Sequence, residues 1–515
     1  MSHEIKREIG PFGLLFMSIA AIFGSGWLFT PFFAAQIAGP NAIISWIIGA
    51  LISAVIGLTM AEVITLYPQA GGLNTIAQIT HGKLIGFIMN VLMLLVCIIL
   101  PVLEVRAIIQ YIGSQASIIV NSKQQITLLG YLLAFFLLFL INWMIIYGAK
   151  LTAKITGFSV LFKLLPPIII GCCFIAVLYE NGTLNATNLH PFLPLHWDGV
   201  FLAISTSGIM FSFNGFNQAT LFAAEAKNPS RNIPLAILGS IFCTAVFYIF
   251  VQIIFLVSLP PSALANGWSV LHYPGDSGPF IGLAVILGLH ALLYLIYADA
   301  IISPLGTAFT YSSGAPRLLC PFAKNSGLMP FLDRHNKNGA PHFAVGLSFI
   351  LAMIAFILLP TLKTMISILV AAFVLNYTVA PVCLLALRKQ PVKDIVVFRL
   401  PFAKFFSVLS LFLSQAMVYC CGFNTLYKLL ILVTTAFIIG LIFLPRSKTD
   451  ALQMIEGFFW FILQLISLTF VAYLSDINAI SFVSAILIIA LLSIFTLIFA
   501  LRSILTQQLP LSSLP

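Results

Sequence analysis

The chain has 515 residues, of which 61% are hydrophobic and 7% charged, with a mean hydropathy of +1.11 and a formal net charge of +10. A soluble globular protein carries about 25% charged residues, so the composition excludes a soluble enzyme or binding module and leaves a polytopic membrane protein. The positive charge would suggest nucleic acid in a soluble chain. Here it reads as Lys and Arg gathered in cytoplasmic loops, with no nucleic-acid partner.

Residues 1–10 are too short for a targeting peptide, and no small-residue cleavage site follows them, so the first helix is expected to stay. A crossing needs about 20 mostly apolar residues. That measure predicts fourteen spans, near 11–37, 41–67, 84–115, 126–148, 151–178, 199–223, 233–258, 279–312, 342–360, 364–387, 403–422, 426–444, 452–474 and 478–503. Starting from an inside N-terminus, the inside segments hold 19 of the 24 Lys and Arg residues, which puts both chain ends in the cytoplasm. Lys6, Arg7, Lys227, Arg231, Lys393 and Arg446 are among them, whereas Lys123 and Lys363 fall outside. Ser313 to Pro341 reads as a short interfacial helix with turns, and Pro260 to Gly278 as irregular.

The first span is interrupted at its centre by Gly24-Ser25-Gly26, with Pro31 beyond. Glycine leaves the backbone free and proline removes a donor, so the helix is expected to open there. Open backbone in lipid leaves costly unpaired N–H and C=O groups, and survives only where it lines a cavity or is buried in protein. The sixth span carries a second interruption, Phe211-Ser212-Phe213-Asn214-Gly215-Phe216-Asn217. Two broken spans separated by four intact ones point to an inverted five-plus-five repeat with a binding site at the breaks. The half-helix after each break offers free N–H groups and a positive dipole end to a carboxylate. Carbonyls freed on the other side suit an amine. A plainer reading is that the glycines only let helices approach closely.

Ionisable residues inside spans are functional candidates. Lys163 in the fifth span and Asp299 in the eighth both lie about 18 Å from a span end. They suit either a proton-loading lysine beside a carboxylate or a static Lys–Asp pair. Glu104, toward the outer end of the third span, is expected to face the pathway, and Arg106 to reach the headgroups. Glu62, near the inner end of the second span, suits a cap or gate contact. The eight cysteines form no CxxC and the eight histidines no cluster, so neither disulfide nor metal site is expected.

Several stretches resemble the amino acid–polyamine–organocation transporter family. They are Gly24-Ser25-Gly26, Ala61-Glu62 through Tyr67-Pro68-Gln69-Ala70-Gly71-Gly72, the sixth-span break, and Ala224-Glu225-Ala226-Lys227-Asn228-Pro229-Ser230-Arg231-Asn232-Ile233-Pro234. Within the family the likeness is nearest to bacterial aspartate–proton symporters, through Gly24 to Phe29, Asp299-Ala300-Ile301-Ile302-Ser303-Pro304 and the fourteen spans. The resemblance implies an all-α integral membrane protein with a LeuT-type 5+5 inverted repeat and broken helices 1 and 6. Residues 1–390 would form the ten-helix transporter core and residues 391–515 four peripheral helices. Lys163 matches the lysine that replaces a second sodium ion in proton-coupled members. Asn217 is neutral where many members are acidic, which removes support for a cationic substrate.

These readings converge on a secondary transporter, not an enzyme, in a bacterial cytoplasmic membrane. It would import an amino acid with a proton by alternating access, needing no cofactor beyond the proton gradient. The alternative is an exchanger of the same fold. The substrate carboxylate is expected at Gly24, Ser25 and Gly26, and its amino group at carbonyls near Ala21, Ile22 and Phe211, beside Gly215 and Asn217. Phe213 and Phe216 are expected to close the site from outside. Lys163, Asp299 and Glu104 are the proton-coupling candidates. The partners are a small amino acid and the lipid bilayer, with a homo-oligomer left open.

Overall fold

The computed structural model describes residues 9–504 except 69–71, 115, 117, 122–124, 148, 191–196, 222, 276–277, 327–328, 338, 390–397 and 445–446, with the backbone alone for 149–162, 221, 224, 321–326 and 448. Lys6, Arg7, Lys123, Lys393 and Arg446, and Gln69 to Gly71 of the second-span signature, lie outside the described residues. Among those described, the chain is helical apart from two isolated bridges, Ile9 with Ala226 and Val120 with Ile126. A bilayer interior supplies no water to backbone groups, so each crossing must satisfy its own, as a helix does.

The first crossing is α1 (Pro11–Ile22) and α2 (Gly26–Ala38), separated at Phe23 to Ser25. A corner at Gly39 (φ +58°) leads into α3 (Ala42–Leu66). The short α4 (Gly72–His81) precedes the long α5 (Lys83–Gly113), followed by α6 (Leu128–Ile145) and α7 (Ala149–Glu180). The sixth crossing comprises α8 (Trp197–Thr206), α9 (Ile209–Phe213) and α10 (Gln218–Leu221), and α11 (Pro229–Ser258) is the seventh. Then come α12 (Pro279–Ile286), α13 (His290–Ser312) and α14 (Gly314–Ser326). The ninth crossing is α15 (His342–Leu358), and the tenth is α16 (Leu362–Tyr377) continued by α17 (Val379–Arg388). The last four helices are α18 (Ala403–Cys420), α19 (Phe423–Phe443), α20 (Lys448–Asp476) and α21 (Phe482–Arg502).

Eleven helices of the described residues are long and apolar enough to cross a membrane, or twelve when the bent sixth crossing counts as one. The segment Gly26–Leu66 turns at Gly39 and so contributes the end of one crossing and the whole of the next, and α15 is a shorter apolar helix. Fourteen crossings result, as the hydrophobic runs predict. Two boundaries differ. The eighth crossing begins at His290 rather than near 279, because Gly288 (φ +70°) ends α12 and turns the chain before α13. The sixth crossing is broken twice, with a 53° bend at Ser207-Gly208 preceding the break at Asn214 to Asn217.

The packing follows two five-crossing units: α3 lies against α11, and α5 against α13. These are the pairings of second with seventh and third with eighth crossings. Buried polar side chains tie the units together. Trp46 Nε1 on α3 donates to Gln252 Oε1 on α11 at 3.0 Å, and Gln252 Nε2 donates to the Pro31 carbonyl at 3.1 Å.

Counting crossings puts Ile9, Glu62, His81, Ala226, Arg388 and Arg502 at one end of the bundle. At that end Ile9 is hydrogen-bonded on both sides to the segment before α11, through Glu225 O at 3.0 Å and Lys227 N at 2.8 Å. Arg388 grips Glu62 with two bonds of 2.7 and 2.8 Å, and Glu62 also accepts the Leu400 N–H at 2.7 Å. The expected gate-like contact of Glu62 is thus a clamp between the second and tenth crossings that also holds the approach to α18. Nearby, His81 is buried and bonds through Nε2 to Ala500 O on α21 at 3.2 Å, with Trp460 of α20 5.7 Å away ring to ring.

Arg106 does not reach outward to headgroups. It is buried, stacks over Phe356 at 4.5 Å and donates to the carbonyls of Phe356 (2.8 Å) and Pro360 (2.5 Å). The last carbonyls of a helix lack intrahelical partners and carry the negative end of the dipole, so a cation at the end of α15 satisfies both.

Candidate substrate site

The two breaks meet at the centre of the bundle. Gly215 adopts φ +121°, which side-chain-bearing residues rarely tolerate, and a Cβ there would lie 2.7 Å from the Ile22 nitrogen and 2.9 Å from the Ala21 carbonyl carbon. Backbone therefore packs directly on backbone, and only glycine permits it. Ser18 Oγ donates across the same junction to Phe216 O at 3.3 Å. Asn214 continues the break in extended conformation and accepts the Tyr377 hydroxyl at 3.3 Å.

On one side of the first break, two side chains hold carbonyls that α1 leaves open. Lys163 Nζ donates to Ala20 O and to Thr307 Oγ1, both at 2.7 Å, and Thr307 Oγ1 donates to Phe23 O at 2.8 Å. Lys163 is 1% exposed. One cation thus joins the end of α1, the middle of α13 and its own helix α7. On the other side, Glu104 of α5 enters the break. Its Oε2 accepts the Ser25 N–H at 2.9 Å, at the positive end of α2.

The expected Lys163–Asp299 pair does not form. Asp299 Oδ2 instead accepts the Trp27 indole N–H at 2.8 Å, which fastens α2 to α13. The two side chains stand two turns apart on the bundle axis: Thr307, which Lys163 reaches, lies about two turns beyond Asp299 on α13.

A small cavity adjoins the first break toward the end that carries Pro360. It is lined by Ser25, Gly26, Phe29, Thr30, Leu103, Phe211, Leu362 and Ile366. Of the expected site residues, Ser25, Gly26 and Phe211 border it. Gly24 lies against Glu104, and Ala21, Ile22 and Gly215 form the backbone junction behind. Phe213 and Phe216 do not line this cavity. Phe213 is buried edge-on against Trp46, and Phe216 lies against Tyr377, both packed toward α3 and α16. Asn217 is buried beside α10 and also does not line it.

Residues missed from the sequence complete the site. Tyr248 of α11 is sandwiched between Phe23 (5.5 Å) and Trp46 (4.6 Å), both rings nearly parallel to it. Its hydroxyl and Ser212 Oγ would both fall within 3 Å of a Cβ on Gly26, and Ser212 Oγ lies 3.3 Å from Thr30 Oγ1. Thr307 carried a usable signal, a hydroxyl on the same helix as Asp299. Tyr248 and Ser212 carried none, since an aromatic or a serine in an apolar run reads as packing.

A family model described as amino acid permease matches residues 9–448. A glutamate/serine transporter of Bacillus subtilis (strain 168) is 29% identical, over 97% of this chain and 94% of that protein. An aspartate-proton symporter of the same organism is 31% identical, over 89% of this chain and 88% of its own length. A branched-chain amino acid permease from that organism is 26% identical over 51% of this chain and 57% of its own.

Proposed function

Since the chain belongs to the amino acid permease family, and is thereby a membrane transporter rather than an enzyme, we propose that it imports an amino acid together with a proton by alternating access. The observation that carries the proton is Lys163, whose buried ammonium bridges the carbonyl end of α1 and Thr307 on α13. A charged amine there holds the first crossing to α7 and α13. A neutral amine has one donor fewer and loses its charge-assisted bonds. Loading and unloading of this proton would bias the broken helix between two positions.

The substrate carboxylate would take N–H groups of the first turn of α2, at Ser25 and Gly26, and its amino group the carbonyls near Ala21, Ile22 and Phe211. The cavity wall is apolar except for the hydroxyls of Ser25 and Thr30, and no cationic side chain lines it. That wall favours a small neutral side chain, such as that of serine, over the second carboxylate of aspartate or glutamate. Residues 1–390 would form the moving core and residues 391–515 its surround. Both ends would face the cytoplasm of a bacterial cell, so the Glu62–Arg388 clamp would close the inner side.

The test is uptake of labelled amino acids into proteoliposomes of the purified protein, with and without an imposed pH gradient. Accumulation driven by an inward proton gradient into empty vesicles is expected. A strict requirement for internal amino acid, with no response to the gradient, would replace this reading with exchange.

A further inference from the structure

The donor that this reading assigns to a substrate carboxylate is already in use. Glu104 Oε2 accepts the Ser25 N–H at 2.9 Å, and the Ser25 hydroxyl lies beside the same carboxylate. Glu104 is wholly buried, and among the described residues no hydrogen-bond donor meets its Oε1. That oxygen stands 2.3 Å from where a Cβ on Gly24 would be, so the missing side chain of Gly24 is the space the carboxylate fills. Among the described residues no cation lies within salt-bridge distance of it. Lys163 is directed to Ala20 O and Thr307 Oγ1 instead.

An unpaired carboxylate oxygen in a dry site is costly to keep charged. A second carboxylate brought to the same amide would raise that cost, since like charges in a low-dielectric pocket cannot both stay ionised without large repulsion. We propose that Glu104 is a resident carboxylate holding the place of the substrate's own. An arriving amino acid exchanges its α-carboxylate for Glu104 on the Ser25 N–H, and Glu104 withdraws as the neutral acid, taking one proton from solution. The inference rests on the amino acid reading above and adds to it where the proton enters.

The other ionisable groups around the first break are not displaced by a substrate carboxylate. Lys163 from α7 directs its bonds to Ala20 O and Thr307 Oγ1, neither of which is the amide a substrate carboxylate contests. Asp299 from α13 keeps the Trp27 indole N–H, a donor the substrate does not contest. Tyr248 from α11 and Tyr311 from α13 lie in electrostatic reach of Glu104, and as phenols they are neutral over the working range.

The experiment measures binding of labelled L-serine, L-alanine, L-aspartate and L-glutamate to the full-length protein in detergent, from about pH 5 to about pH 8. Proton uptake on binding is followed with an indicator dye in weak buffer. Above the pKa of the free site, wild type is expected to take up one proton per amino acid bound, with Kd rising about tenfold per pH unit, the slope that linkage sets for one proton; below it both effects fade together. Glu104→Gln should bind with a Kd that no longer depends on pH and should take up no proton. Binding by wild type without proton uptake overturns the inference alone, as does uptake that survives in Glu104→Gln, or a Glu104→Gln protein that is folded yet no longer binds. If wild type binds no amino acid, the functional reading falls and this inference with it. Glu104→Asp serves if the Gln variant does not fold: its shorter carboxylate releases Ser25, so binding should tighten at high pH, and an unchanged pH profile counts against the proposal.

Discussion

The break in the first crossing gathers ionisable groups, with Glu104 on the Ser25 N–H and Lys163 on the Ala20 carbonyl. The sixth crossing holds neutral amides at its break, Asn214 before Gly215 and Asn217 and Gln218 after it, and carries two glycines in the left-handed region, Gly208 and Gly215. The two stand at corresponding places in the two repeats and touch each other, yet their chemistry differs. Charges inside a membrane protein are expensive, and of the two breaks only the first takes ionisable side chains onto its opened backbone. The other is made of parts that bend. Symmetry of backbone therefore need not carry symmetry of role: on the reading proposed here the first break handles ligand and proton, and the sixth acts as a hinge that presents its backbone.

The largest effect should come from the charged side. Lys163→Met is expected to reduce pH-gradient-driven accumulation in proteoliposomes to background. Undiminished accumulation would make Lys163 a structural tie and remove the functional contrast between the breaks. Next is Gly26→Val. A Cβ at Gly26 would come within 2.6 Å of Ser212 Oγ and 2.9 Å of Tyr248 Oη, so amino acid binding should vanish while the protein remains folded by circular dichroism. Retained affinity would move the site away from α2.

The sixth break should answer differently. Gly215→Ala forces a side chain into φ +121° and onto the Ile22 nitrogen, which should cost about 1–3 kcal/mol, read as a lower Tm in detergent with uptake slowed rather than uncoupled. A variant of full stability that lost only proton coupling would break the division drawn above. The smallest change is expected for Asn217→Ala. Among the described residues its buried Oδ1 has no hydrogen-bond partner, so truncation breaks no bond there and should cost about 1 kcal/mol or less, and uptake should stay within about twofold of wild type on the same scale.

Much of this architecture was legible in the residues because the membrane enforces simple rules. Fourteen crossings followed from apolar run length, and the breaks at Gly24-Ser25-Gly26 and Asn214-Gly215 from residues that lipid alone would not select. The Ser207-Gly208 bend was hidden because two small residues in a helix read equally well as close packing. Lys163 and Asp299 stood out individually, but depth counted from uncertain span ends can err by two turns, so they read as level and their partners were misjudged: Lys163 reaches Thr307, and Asp299 reaches Trp27. Arg106 was misplaced for a related reason. An arginine near a helix end is expected to snorkel, and only the folded arrangement shows that the end of α15 lies within its reach. The cavity wall was the least legible part, since Leu103, Leu362 and Ile366 are ordinary apolar residues brought together from distant crossings.

The buried corner at His81 has a consequence for how the protein is made. Ribosomes deliver α4 early, yet the imidazole of His81 completes its hydrogen bonding on Ala500 of the last helix, and the His81 carbonyl lies so close to α20 that a side chain at position 457 would collide with it. The corner therefore stays unfinished in the bilayer until the final two helices have been inserted. Chains cut short after α19 should insert their earlier helices and still present an unsatisfied imidazole to membrane quality control. The pair α20 and α21, far from the breaks in sequence, thus finishes a corner begun at α4.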